Sequence, residues 1–188
     1  MRKIYSPKMD DVDYHRHPNG GGLVAETACV DKTCYIGKNA VISDWAKISD
    51  YAIVTDDARV DGHAEVKGKA KVCHSARVSE ASLVSGNSII CDNAVVSEYA
   101  IINGDALIAG KAKVIGESLV YGFARVLEEA LVYGKTLVFE NAEICGKAQI
   151  ASYAIVCGNA VVCDNAVVSM NGSASGYDYV SGFQRVVR

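Results

Sequence analysis

The side chains able to exchange a proton near neutral pH are four histidines, His15, His17, His63 and His74. A base of that kind, set against an attacking hydroxyl or amine, is what group transfer requires. His63 and His74 are the two candidates for a catalytic role. They fall in a stretch rich in cations, with Arg59, Lys67, Lys69, Lys71 and Arg77 around them and Asp61 and Glu65 between. Those cations read either as a site for the phosphates of an anionic ligand or as a solvated charged surface. A third group is apolar. Ile115, Tyr121, Leu127, Tyr133 and Phe139 hold one corner position in successive repeats, with Phe123 nearby. They either wall a ligand groove or tuck partly inward as structure.

Metal and thiol chemistry are poorly provided for at the level of sequence. "DDVDYHRH" brings Asp11, Asp13, His15 and His17 close together, but it reads as an acidic terminal segment rather than a cation site. His63 and His74 fall at different corners and no third histidine follows them, so no metal site is expected. The seven cysteines include no CxxC pair. An odd count of that kind suits a reducing compartment, and the aligned Cys73/Cys91 and Cys145/Cys163 read as small residues in a ladder.

What must position these groups is a repeat. Stepping by six from Ala28, every stop through Ala166 is small: alanine nineteen times, otherwise Cys34, Ser82, Ser88, Ser118 and Thr136. Two residues after each stop stands Val or Ile, in 24 of 24 repeats. Period-two alternation puts the small residue and the aliphatic on one face and the residue between them on the other. The three- and four-residue spacing of an amphipathic helix is absent. Four places after each small residue stands Gly ten times and Asp or Glu nine times, and Asn often follows. Gly and Asn tolerate the positive φ that a bend between short strands demands.

Each hexapeptide is thus a short strand plus a corner, and such units coil into a parallel β-solenoid whose layers bond to one another. Steps of 18 residues align Leu83, Ile101, Leu119, Leu137 and Ile155 in one apolar line, and they also align the cysteine pairs. Steps of 12 lead from Ile89 and Ile101 to Lys113 and Arg125, so three sides are favoured over two. The prediction is an all-β, three-sided solenoid of about eight coils over residues 23–170, roughly 38 Å long. Residues 1–22 and 171–188 are expected as terminal caps, with Tyr177, Tyr179, Val180 and Phe183 available to cover the last coil. Both prolines, Pro7 and Pro18, lie outside the repeat, as a ladder using every N–H requires.

This pattern resembles the hexapeptide-repeat, left-handed parallel β-helix superfamily, which includes many acyltransferases and the gamma-class carbonic anhydrases. Val60 to Ala64 and Val66 to Ala70 have that family's aliphatic-to-small spacing. Gly62 and Gly68 depart from it, standing two places after the valine instead of one. The variant "V-x-G-x-A-x" is similar to bacterial and phage-borne repeat proteins labelled as transferases, as is the lead-in "GGGLV" at residues 20–24. The resemblance implies the left hand of the coil and a parallel homotrimer. For an enzymatic member it also implies acetyl-CoA or another acyl-CoA held between subunits, with a histidine base; His63 and His74 are the positions available. The loops and C-terminal helix that shape such sites are not seen in this sequence.

Bulk properties narrow the remaining classes. Half of the 188 residues are apolar, and the net charge of -3 gives no support to a nucleic-acid partner. No apolar stretch follows the charged N-terminus, and no run reaches membrane-span length. A cytoplasmic protein is the expectation. An exposed apolar line over five coils calls for cover, so Leu83, Ile101, Leu119, Leu137 and Ile155 are the expected oligomer interface. Two functions follow: an oligomeric scaffold or binding platform without its own catalysis, or an acyl-CoA-dependent acyltransferase with its site between subunits.

Overall fold

The computed structural model describes the backbone of residues 8–9 and all of residues 12–188. Two-residue strands recur every six residues from Cys29–Val30 to Arg185–Val186, each ending in the inward aliphatic except Ser173–Ala174. They stack into three parallel sheets. The first face begins at Leu23–Ala25, the second at Cys29–Val30 and the third at Tyr35–Ile36. Pairing runs in steps of 18, as in Glu65 to Leu83 to Ile101 on the second face. The first corner lies between the first and second faces, the second between the second and third, and the third closes the triangle. The expected three-sided solenoid is therefore present, with nine strands in each of the second and third sheets rather than the eight anticipated.

Alanine-sized and β-branched groups fill the interior. Ala58, Val60, Ala106 and Ile108 are fully buried, like their counterparts above and below. Burying each Val or Ile contributes about 1.5–3 kcal/mol, which together opposes the entropy of ordering so many short strands. Serines at the small position bond back to the corner, Ser82 Oγ donating to the Ser79 carbonyl and Ser88 Oγ to the Ser85 carbonyl, each at 2.7 Å, while Thr136 Oγ1 donates to Ser118 Oγ at 3.0 Å. No buried hydroxyl at these positions is left without a partner.

The corners differ from expectation in one respect. The left-handed residue is the fourth after the small one, and the Asn that follows it takes positive φ only at Asn171, φ 63°. Acidic residues share that conformation with glycine, Asp44 at φ 55° and Glu128 at φ 61° among them. Their side chains explain the tolerance. Asp50 Oδ2 accepts the Gly68 amide at 2.9 Å and Glu140 Oε2 accepts the Gly158 amide at 2.6 Å. A carboxylate thus satisfies a corner N–H of the next coil that the ladder leaves over.

The two ends are built differently. At the N-terminus Val12–Arg16 lies antiparallel on Leu23–Ala25, with Tyr14 opposite Ala25, and Lys8–Met9 pairs with it in turn. Gly20 and Gly22 let the lead-in pass against Ile36, where an added Cβ would stand 2.3–2.4 Å from its atoms. At the other end, residues 171–188 form a further coil with strands Ser173–Ala174, Tyr179–Val180 and Arg185–Val186. Tyr177 and Phe183, expected as cover, point to solvent at 87% and 86% exposure. Asp178 and Gln184 stand where earlier coils carry small residues. Asp178 Oδ2 accepts the Ser175 amide at 2.8 Å and Gln184 Oε1 the Ser181 amide at 2.9 Å. These are amides that in earlier coils bond to the next layer, as Cys157 N–H does to the Ala174 carbonyl.

Candidate functional site

The second face carries the longest unbroken apolar surface. Leu83, Ile101, Leu119, Leu137 and Ile155 are consecutive partners in its ladder, each the outward residue of its strand. Ile101 is 39% exposed and the others are half-buried. Lys47 and Glu65 precede the line and Ser173 ends it. The other two faces are interrupted within two coils, by Lys113 after Val95 on one and by Arg125 after Leu107 on the other. Aromatic residues extend the apolar line at the bordering corners. Tyr121 and Phe139 stack at 5.1 Å with rings 4° apart at the second corner, and Tyr99 and Tyr153 stand exposed at the first.

The six residues read as a groove wall are therefore not on one wall. A step of six carries the chain to the next corner, and only a step of 18 returns to the same one. Ile115 and Tyr133 sit at the first corner, Tyr121, Phe123 and Phe139 at the second, and Leu127 at the third. Phe123 is 63% exposed, while the other five are half-buried. The cations divide likewise. Arg59 and Arg77 are neighbours on the first face, where Arg77 pairs with Asp61 at 2.9 Å. Lys67 and Lys69 lie at the second corner and Lys71 on the third face, with Lys67 3.3 Å from Glu65.

The two histidines occupy different corners. His63, at the first, stacks on Trp45 one coil before it, centroids 5.3 Å apart. Beside it Glu80, Ala81, Glu98 and Tyr99 line a shallow cavity of about 310 Å³. This corner borders the second face. His74 lies at the third corner, opposite that face, and its own backbone is left-handed at φ 57°. Its Nδ1 is 2.9 Å from Asp92 Oδ1 and 3.2 Å from the Asp92 amide nitrogen, and its backbone N–H donates to Asp56 Oδ2 at 3.0 Å.

Cysteines line the same third corner in two stacked pairs. Burial pushes the Cys91 thiol up to about 11, with the Asp92 carboxylate beside it adding to the shift, and it raises the Cys73 thiol as well. Cys145, packed against Cys163, is likewise pushed up to about 11 by burial, with Cys163 and Glu143 contributing. Cys73, Cys91 and Cys145 are thus not primed as nucleophiles, since the thiolate is the reactive form. Around His74 the structure assembles a set that a count of histidines passes over. Donor atoms of Asp56, Cys73 and His74 lie within 4.8 Å of one another, as do those of His74, Cys91 and Asp92. The signal available in the sequence was the step of 18 from Cys73-His74 to Cys91-Asp92.

No family model matches the chain, and no curated protein matches it. The fold is a three-sided parallel β-solenoid. No helix among the described residues is long and apolar enough to cross a membrane.

Proposed function

We propose that the protein is a self-assembling β-solenoid scaffold, a parallel trimer joined through the second face, without catalysis of its own. The observation that carries this reading is the five-coil aliphatic line from Leu83 to Ile155, bordered by the stacked Tyr121 and Phe139. A surface of that kind costs free energy while it faces water, and copies in register would cover one another's lines residue by residue. The charged Lys47 and Glu65 at one end of the line bound the contact. Uninterrupted coils and the division of the cations among the first face, the second corner and the third face support a scaffold over an enzyme. The test is Leu119→Glu, which places a carboxylate mid-interface. The reading expects monomers by light scattering, with Lys113→Glu on the first face as a control that stays assembled. An intact trimer in Leu119→Glu would end it.

One observation favours a second reading, acyl transfer from acetyl-CoA or another acyl-CoA. His63 and its cavity lie at the corner bordering the second face, so assembly through that face would bring a neighbouring subunit to a histidine, two glutamates and Tyr99. A general base there would meet a substrate held between chains. Acetyl-CoA and CoA raising the melting temperature, with His63→Ala abolishing turnover, would establish this reading. No shift with either ligand would remove it.

A further inference from the structure

Along the corners, seven acidic side chains reach one coil onward and accept the amide of the residue in the equivalent place. In six of the seven that residue is glycine, which has no side chain to obstruct the carboxylate; the exception is His74. A histidine in left-handed backbone costs roughly 1–2 kcal/mol over glycine. Here that residue stands between two aspartates of its own column, Asp56 and Asp92, with Cys73 and Cys91 alongside. Like the carboxylates at the equivalent places, its side chain reaches one coil onward, with Nδ1 3.2 Å from the Asp92 amide nitrogen.

We propose that the third corner binds a single transition-metal cation of the zinc class through Cys73, His74, Cys91 and Asp92. The donor set is two sulfurs, one imidazole nitrogen and one carboxylate oxygen. That combination selects zinc or its tetrahedral substitutes and excludes magnesium and calcium, which take oxygen ligands. The donors of His74, Cys91 and Asp92 already lie within 4.8 Å of one another, as do those of Cys73, His74 and Asp56. Tetrahedral zinc asks for about 3.3–3.8 Å between such atoms, given its bond lengths to S and N. Side-chain rotation of that order brings the four together.

The supporting groups are held independently of the ion. Asp92 Oδ2 accepts the Gly110 amide at 3.0 Å, which leaves Oδ1 facing His74. Asp56 fixes the His74 backbone through its amide and serves as a positioning residue. Asp92 and His74 therefore enter with their orientation partly set. Lys71 is a cation beside the two thiols, opposed at Cys73 by Asp56 and Asp92 and at Cys91 by Asp92. Binding releases two thiol protons to solvent and forms two metal–sulfur bonds, with no redox change. Cys145 and Cys163, stacked at the same corner, supply a comparison. Gly146 and Asp164 follow them, and no histidine does.

The experiment uses the full chain, reduced with a phosphine, stripped with chelator and titrated with Co²⁺, then with Zn²⁺. One cobalt per chain with thiolate-to-cobalt charge-transfer absorption, displaced by zinc, is the expected result. Cys91→Ser and His74→Asn each weaken binding about tenfold or more, and Cys145→Ser leaves it unchanged. Serine occupies the equivalent place of the repeat at the other two corners, Ser79 and Ser85, and asparagine tolerates left-handed backbone, so both variants keep the coil. As a second readout, zinc raises the melting temperature of the native chain and of Cys145→Ser, but not of the other two. A full chain with no charge-transfer band would overturn the proposal, as would the same band persisting in Cys91→Ser and His74→Asn.

Discussion

Asp44 reaches one coil onward to Gly62: its Oδ2 accepts the Gly62 amide at 2.9 Å, and both residues hold left-handed backbone, at φ 55° and 70°. The relation repeats along all three corners, with acid and glycine at equal heights of adjacent coils. It sets the corner chemistry of the column, because an acidic side chain satisfies the amide that the parallel ladder does not use.

At Gly62 the absence of a side chain serves twice, for φ and for the close approach of the next coil. An alanine Cβ at position 62 would lie 2.8 Å from the Glu80 nitrogen, whereas one at position 176, φ 63°, meets nothing within 4 Å. Gly176→Ala should therefore cost about 1 kcal/mol from backbone strain alone. Gly62→Ala should cost about 1–3 kcal/mol through strain and contact together. Chemical denaturation of both variants checks the order, and equal losses would refute the close-approach argument.

The interior has no spare volume. Ala106 is fully buried between coils, so Ala106→Leu overpacks the prism and lowers stability by about 1–3 kcal/mol. Melting unchanged from the parent chain would contradict the inward assignment of the alanines.

At the C-terminal edge, Asp178 and Gln184 substitute for a missing coil by accepting the Ser175 and Ser181 amides. Replacing both with alanine should cost about 1 kcal/mol per lost bond. It should also make association depend more steeply on concentration, since free edge amides template further strands. Sedimentation of the double variant, compared with the parent across a concentration series, measures this.

The Cys145 thiol, held up to about 11 from an ordinary value of 9.0 chiefly by burial, carries a pH dependence. Between those values the unfolded chain has lost the thiol proton and the folded chain still binds it, so stability falls as pH rises through that window. Cys145→Ala should flatten the alkaline decline. Identical slopes for the variant and the parent would show that Cys145 takes no part.

Much of the fold was legible because its constraint is local. A narrow triangular interior admits alanine and Val or Ile at fixed places, and that requirement is written every six residues. The last coil was under-read because Asp178 and Gln184 replace its small residues for capping, although Val180 and Val186 keep the register. Positions related by 18 residues are the ones that meet. Residues six apart, such as Ile115 and Tyr121, look like neighbours in the sequence yet face different sides. The His74 cluster is not legible as a motif because its donor groups are mixed in type and come from two coils, 18 residues apart.

The central claim is that the second face is covered by other copies of the chain. Light scattering coupled to size-exclusion chromatography measures it most directly. The account predicts a particle of three chains, each 19.9 kDa, at micromolar concentration. A particle with the mass of one chain, unchanged as concentration rises, would contradict it.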